Sequence, residues 1–246
     1  MTTPSQLNYN KRFWEIDFLR GLAIIAMIIF HVVFDLDYFS ILKIDTNNLF
    51  WTIFRVSIFS LFFLLVGVSL SLSHSKNKKF LDYLKRGLKI FFWGMMITLT
   101  TVIFMQQGYV LFGVLHFIGF SIILAYPFLK FSYLNLIFAV PIILVGLYLF
   151  NFYFDFQWLL WLGLKPHHFQ TVDYFPLLPY FGIILIGIFL GKKLYSNHNR
   201  MFKLKDSPKQ PIMKFFEFLG KKSLFIYLLH QPIIIAVLLL IKLNLK

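Results

Sequence analysis

The sequence predicts an all-α integral membrane protein: a polytopic bundle of about seven transmembrane helices with a cytoplasmic amino terminus. Three observations carry this. Of 246 residues, 59% are apolar and 20% aromatic, with 33 Phe, while only 14% are charged. A soluble domain carries about 25% charged residues, so this chain has little polar surface for water and lipid must cover most of it. Seven apolar runs approach the roughly 20 residues that a membrane-crossing helix needs. Lys and Arg gather in alternate gaps between them.

In order, the runs are 17–36, 49–73, 86–105, 111–129, 134–152, 175–191 and 223–243. The first is longer than the apolar core of a signal peptide and no small-residue cleavage site follows it, so no cleavable leader is expected. The sixth opens with Pro176 and Pro179, which suit a helix start. In the seventh, Pro232 lacks an N–H and frees the carbonyl of Leu228. Such a break at membrane depth is tolerated where it is buried in protein or lines a cavity. No repeat is visible and no soluble domain fits between the runs, so the expectation is one domain over 1–246.

A cytoplasmic amino terminus places Lys11, Arg12, Arg20, Lys130 and the basic stretches 74–89 and 192–222, Lys209 included, on the inner side. Only Lys43, Lys165, Lys242 and Lys246 remain outside. That is about 19 against 4, a decisive positive-inside bias, and it points to the plasma membrane. The net charge of +14 therefore reads as topology and contact with anionic lipid, not nucleic acid. The absence of Cys removes disulfides, thiolate metal sites and cysteine acyl intermediates. No Walker loop, dinucleotide glycine fingerprint or HExxH motif is present, and no metal is expected.

Polar groups inside a bilayer are costly and call for a reason. The first run holds Asp17, Arg20 and Gly21 near its inner end and His31 and Asp35 near its outer end. At about 100° per residue these five share a half-turn sector, a face expected to point into the bundle. His31 and Asp35 are four apart and therefore neighbours. A carboxylate beside an imidazole fixes its tautomer and raises its basicity, which is how general bases are built. The plainer alternative is a solvated cap and an interfacial histidine. Arg55, in the second run, and His116, in GVLHFIG, lie near the depth of His31. Arg55 needs a partner or a wet cavity unless it snorkels to headgroups. In the last run Tyr227, His230 and Gln231 share a face in the inner half. His167, His168 and Asp173 fall in an outer loop and read as surface.

The segment RFWEIDFLRGLAIIAMIIFHVVFDLDYF closely resembles the opening helix of prokaryotic members of the heparan-alpha-glucosaminide N-acetyltransferase catalytic-domain family. DYFPLLPYFGIILIGIFLG resembles the family's later Pro-rich helix start, and LGKKSLFIYLLHQPIII its carboxy-terminal signature. FFLLVGVSLSLS and GVLHFIG also look like family segments. The first segment is similar, too, to the acyltransferase-3 opening, where an acidic residue, Arg-Gly and a later His share one helix. Those positions are here Asp17, Arg20, Gly21 and His31.

The resemblance implies a transmembrane acyltransferase that moves an acetyl group from acetyl-CoA to a sugar or glycolipid acceptor across the membrane, with His31 as the essential histidine. His31 acts there as base, oriented by Asp35, or as a transient acyl carrier. Arg20, Lys85 and Arg86 are candidates to hold the donor's phosphates. Asp17, Tyr227 and His230 are further candidates to contact the donor, and Arg55 or His116 to steady the oxyanion. Membrane lipid, the acyl-CoA donor and the acceptor are the expected partners. A lipid or glycan flippase, a haem protein and a non-catalytic relative are the competing readings. The acceptor, N- against O-acylation, acyl length and oligomeric state stay open.

Overall fold

With no water in a hydrocarbon core, each backbone N–H and C=O must be paired within its own segment, and helix does this for an apolar run. The computed structural model follows that rule: of the described residues 71% are helical, with almost no sheet. It describes residues 12–76, 78–105, 107–196, 199–205 and 210–244. Lys11, Lys209 and Lys246, used above for topology, lie outside the described residues.

The described helices are α1 (Trp14–Tyr38), α2 (Leu49–His74), α3 (Phe80–Phe104), α4 (Val114–Leu124), α5 (Leu134–Leu149), α6 (Leu177–Leu194), α7 (Pro211–Lys221) and α8 (Ser223–Asn244). Five of them, α1, α2, α3, α6 and α8, are long and apolar enough to cross a membrane, and α4 and α5 are shorter apolar helices. All seven expected runs are therefore helical, but two fall short of spanning length. The fourth run is α-helical for only 11 residues, about 16 Å at 1.5 Å per residue. Gly113 caps its start, and past Ala125 the chain tightens into a 3-10 turn, Tyr126–Lys130, with Pro127 in its first turn. Pro141 sits inside α5. In the opposite sense, α3 begins six residues before the expected start, where the Lys79 N–H donates to Asp82 Oδ2 at 3.0 Å. Lys85 and Arg86 therefore lie in the early turns of a helix and are exposed there.

The sequence reading has no counterpart for α7. Pro211 opens it, where a missing N–H costs nothing. Met213, Phe216 and Gly220 form one inward stripe, while Ile212, Phe215 and Phe218 face outward and are exposed.

The chain forms two compact units. Unit 1 takes in Val66–Lys203. In it α3 packs on α4 and α5 on α6. The α5–α6 connection carries a two-residue parallel pair, β1 (Tyr153–Phe154) with β2 (Lys165–Pro166). Unit 2 takes in Lys11–Leu65 and Leu204–Lys246, so α1 packs on α7 and α8 from the far end of the chain. The α1–α7 crossing is close enough that a β-carbon on Gly21 would strike the main-chain carbonyl of Phe216, and one on Gly220 the main-chain carbonyl of Asp17. Small residues bring membrane helices together in this way, trading side-chain bulk for backbone contact.

Candidate active site

At the start of α1, the buried Asp17 carboxylate collects two guanidinium groups. Arg12 donates from Nε at 2.5 Å and from Nη2 at 3.0 Å, and Arg20 from Nη1 at 2.9 Å. The two-pronged Arg12 contact is the geometry in which guanidinium and carboxylate match best. Asp17 thus anchors both arginines, and Arg20 is drawn toward it.

Further along α1, His31 meets α8. Its Nδ1 lies 2.9 Å from the Met27 carbonyl. A carbonyl only accepts, so Nδ1 carries the proton and the neutral ring keeps its lone pair on Nε2. His230 repeats the pattern, with Nδ1 at 2.6 Å from the Tyr227 carbonyl. The two rings touch edge to face, 4.7 Å between centroids at 81°, and the Tyr227 ring lies 5.4 Å from that of His230. His230 Nε2 and Gln231 Oε1 are both buried, and among the described residues neither has a hydrogen-bond partner. Two neighbouring lone-pair acceptors are therefore held out of water unsatisfied, at a cost of about 1–3 kcal/mol each.

Two expectations change here. Asp35 does not orient His31. The Gln231 amide donates to both Asp35 oxygens, at 3.0 and 2.8 Å, and the main chain of α1 fixes the His31 tautomer instead. The imidazole finds a carbonyl one turn back on its own helix, and the carboxylate finds an amide on the next. His230 is also not deeper toward the inner side than His31: ring contact puts them at one level.

Arg55 is exposed on α2. His116 is buried in unit 1, where Nδ1 accepts the Gly113 N–H at 3.3 Å. Its other nitrogen therefore bears the proton and donates to Thr98 Oγ1, also at 3.3 Å. Phe91 and Phe112 enclose the ring. One nitrogen caps the start of α4 and the other meets Thr98 of α3, so both are engaged within unit 1. Among the described residues no group of three or more His, Cys, Asp or Glu is placed to hold a metal.

Asp173, read as loop surface, is a second cap for α4: its Oδ2 accepts the Val114 N–H at 3.1 Å. Burial pushes its carboxyl up to about 6, although the Val114 bond pulls the other way. A raised carboxyl binds its proton more tightly folded than unfolded, so stability falls as pH climbs from about 4 to about 6 and levels off above. Melting of the protein in nanodiscs should show this slope, and Asp173→Asn should flatten it across that window. Equal slopes in both proteins would contradict the assignment.

The family model described as heparan-alpha-glucosaminide N-acetyltransferase, catalytic, matches residues 12–232. No curated protein and no solved structure matches the chain. The matched stretch runs from Arg12 of the Asp17 cluster through His31 and Asp35 to His230 and Gln231. The chain belongs to the heparan-alpha-glucosaminide N-acetyltransferase catalytic-domain family.

Proposed function

We propose that this protein transfers the acetyl group of acetyl-CoA to an amine or hydroxyl of a sugar or glycolipid acceptor, with His31 as the base. The family is one of membrane acetyltransferases. The observation that carries the finer reading is the imidazole pair at the α1–α8 contact, both rings with their protons turned to main-chain carbonyls. Each then offers a lone pair on Nε2, the atom a general base or acyl carrier needs. His230 Nε2 and Gln231 Oε1 add unsatisfied acceptors beside it, and an acceptor's N–H or O–H is the group that satisfies them.

In the direct route, the acceptor's nitrogen or oxygen attacks the thioester carbonyl while its proton passes to His31 Nε2. The tetrahedral intermediate collapses, the C–S bond breaks, and the departing thiolate takes the proton back. The second imidazole also allows a histidine-carried route. His31 Nε2 would itself displace the thiolate to form an acetyl-imidazole, and His230 would deprotonate the acceptor that resolves it. Lys85 and Arg86, adjacent and exposed at the start of α3, remain candidates for the donor's phosphates. Arg20 is held by Asp17. The distribution of Lys and Arg supports a cytoplasmic amino terminus in the plasma membrane, with donor inside and acceptor outside.

The test is turnover. Purified protein in proteoliposomes, given labelled acetyl-CoA and glucosamine, should release CoA thiol and yield acetylated sugar in step. Folded protein that produces neither, with glucosamine or with glycolipid extracts as acceptor, would favour the flippase reading.

A further inference from the structure

Helix α7 has 11 residues, about 16 Å at 1.5 Å per residue, which is too short for a hydrocarbon core of about 30 Å. Its inward stripe packs on the first turns of α1, with Phe216 against Gly21 and Gly220 against Asp17. The Phe216 ring also meets Phe18 edge to face, 5.5 Å between centroids. Upstream of α7, the Lys205 carbonyl accepts the Trp14 indole N–H at 2.9 Å. Arg12, Asp17 and Arg20 gather at this same end of α1. Fixed charges belong at the headgroups and not among acyl chains, so α7 lies beside the headgroup zone.

The outer side of α7 is divided between apolar surface and positive charge. Ile212, Phe215 and Phe218 recur at every third position and are 61%, 54% and 58% exposed. Lys214 and Lys222 stand four positions before and after Phe218, one turn to either side of its ring. Both lysines are exposed. Lys221 is paired with Glu217, the one acidic residue of the helix. Among the described residues Lys214 and Lys222 have no ion-pair partner.

We infer that α7 is a binding surface for acidic phospholipid, and that the charge of the membrane thereby sets the stability of unit 2. Acyl chains cover Ile212, Phe215 and Phe218, while phosphates of the same lipids pair with the ammonium groups of Lys214 and Lys222. A short helix with phenylalanines on one face and lysines beside them rests at the boundary between headgroups and acyl chains. Attraction of the lysines to anionic lipid adds to the apolar burial. A second copy of the chain fits this face less well. A two-fold contact would bring the patch against itself, lysine toward lysine, with no unpaired carboxylate to receive either. The opposite face of α7 is seated on Asp17 and Gly21 of α1, so lipid held on the outer face keeps that contact closed. A ligand that binds only the folded arrangement stabilises it.

The experiment is thermal melting of the full chain in nanodiscs of phosphatidylcholine, with and without added phosphatidylglycerol. The acidic lipid should raise the parent's midpoint by about 4–8 °C, the effect of two lysines at an anionic surface. The rise should shrink at about 1 M salt, where charges act only within about 3 Å. Lys214→Gln combined with Lys222→Gln should lose most of the rise, and the matching pair of Arg substitutions should keep it. Lys43→Gln, at an exposed position in the α1–α2 connection, should keep it as well. Native mass spectrometry reads the binding itself: preference for phosphatidylglycerol over phosphatidylcholine should fall about fivefold per lysine removed. The inference is overturned if the acidic lipid shifts the parent and the double Gln variant alike, if it shifts neither, or if Lys43→Gln loses the rise equally. It is also overturned if the parent is dimeric and Phe215→Ser with Phe218→Ser makes it monomeric at an unchanged lipid response, which assigns the face to a second copy. The readouts are stability and bound lipid, so failure here leaves acetyl transfer standing.

Discussion

Replacing His31 with glutamine is expected to cut acetyl transfer by about 10²–10⁴-fold, the usual contribution of a positioned base. Glutamine is the informative change. Its side chain roughly fills the same space and carries no basic nitrogen, although its amide lies one bond further from the main chain than the Nδ1 that now faces the Met27 carbonyl at 2.9 Å. What it removes is the basic lone pair on Nε2. Folding and expression should be unaffected, so the loss appears in turnover and not in protein yield. His31→Ala should fall as far and also loosen the contact with His230. The His230→Gln variant separates the two routes. If His31 alone carries the proton, that variant keeps most of its rate. If His31 carries the acetyl group, the variant should accumulate acetylated protein, visible by rapid-quench mass spectrometry. Turnover by His31→Gln within about twofold of the parent, well short of the range for a base, would take His31 out of the chemistry.

The second large effect is structural. Gly21→Leu or Gly220→Leu should destabilise unit 2 by several kcal/mol, since overpacking of even a methylene or two in a tight contact costs about 1–3 kcal/mol. At both positions the new β-carbon meets a main-chain carbonyl and not a side chain that can rotate away. The helices must part, and the Asp17 backbone, with the arginines its carboxylate holds, moves with them. Alanine is a stricter version. It gains about 0.8–1 kcal/mol of helix propensity over glycine, so a lower melting temperature for Gly21→Ala means that the collision outweighs the gain. Leu22→Ala, at an outward and exposed position, is the control and should change little. The readouts are melting in nanodiscs and proteolysis in the connection before α7. A Gly21→Ala protein that melts at or above the parent would show that the crossing tolerates separation.

The membrane architecture was legible because length and hydropathy alone decide it: each expected run is helical. Boundaries were less so. Pro127 and the Gly113 cap shorten the fourth run, and neither alters an average of hydropathy. Helix α7 was hidden in a basic stretch, where Lys214, Glu217, Lys221 and Lys222 mask the Met213–Phe216–Gly220 stripe. Within the site, periodicity could place His31 beside Asp35, and Tyr227, His230 and Gln231 on one face, but it cannot say what a face meets. The bond from Gln231 to Asp35 joins residues 196 positions apart, and no local pattern encodes it. His116 shows the converse. Its depth in an apolar segment suggested chemistry, whereas the Gly113 N–H three residues back gives it a capping task that spacing would have allowed.

Unit 2 is assembled from the two ends of the chain, and this bears on how the protein is made. At about 5–20 residues per second, the 196 positions between Asp35 and Gln231 take on the order of 10–40 s to translate. For that interval the polar groups of α1 sit in or near the bilayer without α8 to receive them. Until α8 leaves the ribosome, those groups must meet water, lipid headgroups or other helices in its place. A stop codon placed just before that segment would thus strand α1, and quality-control proteases should clear the truncated product faster than its lost length alone accounts for.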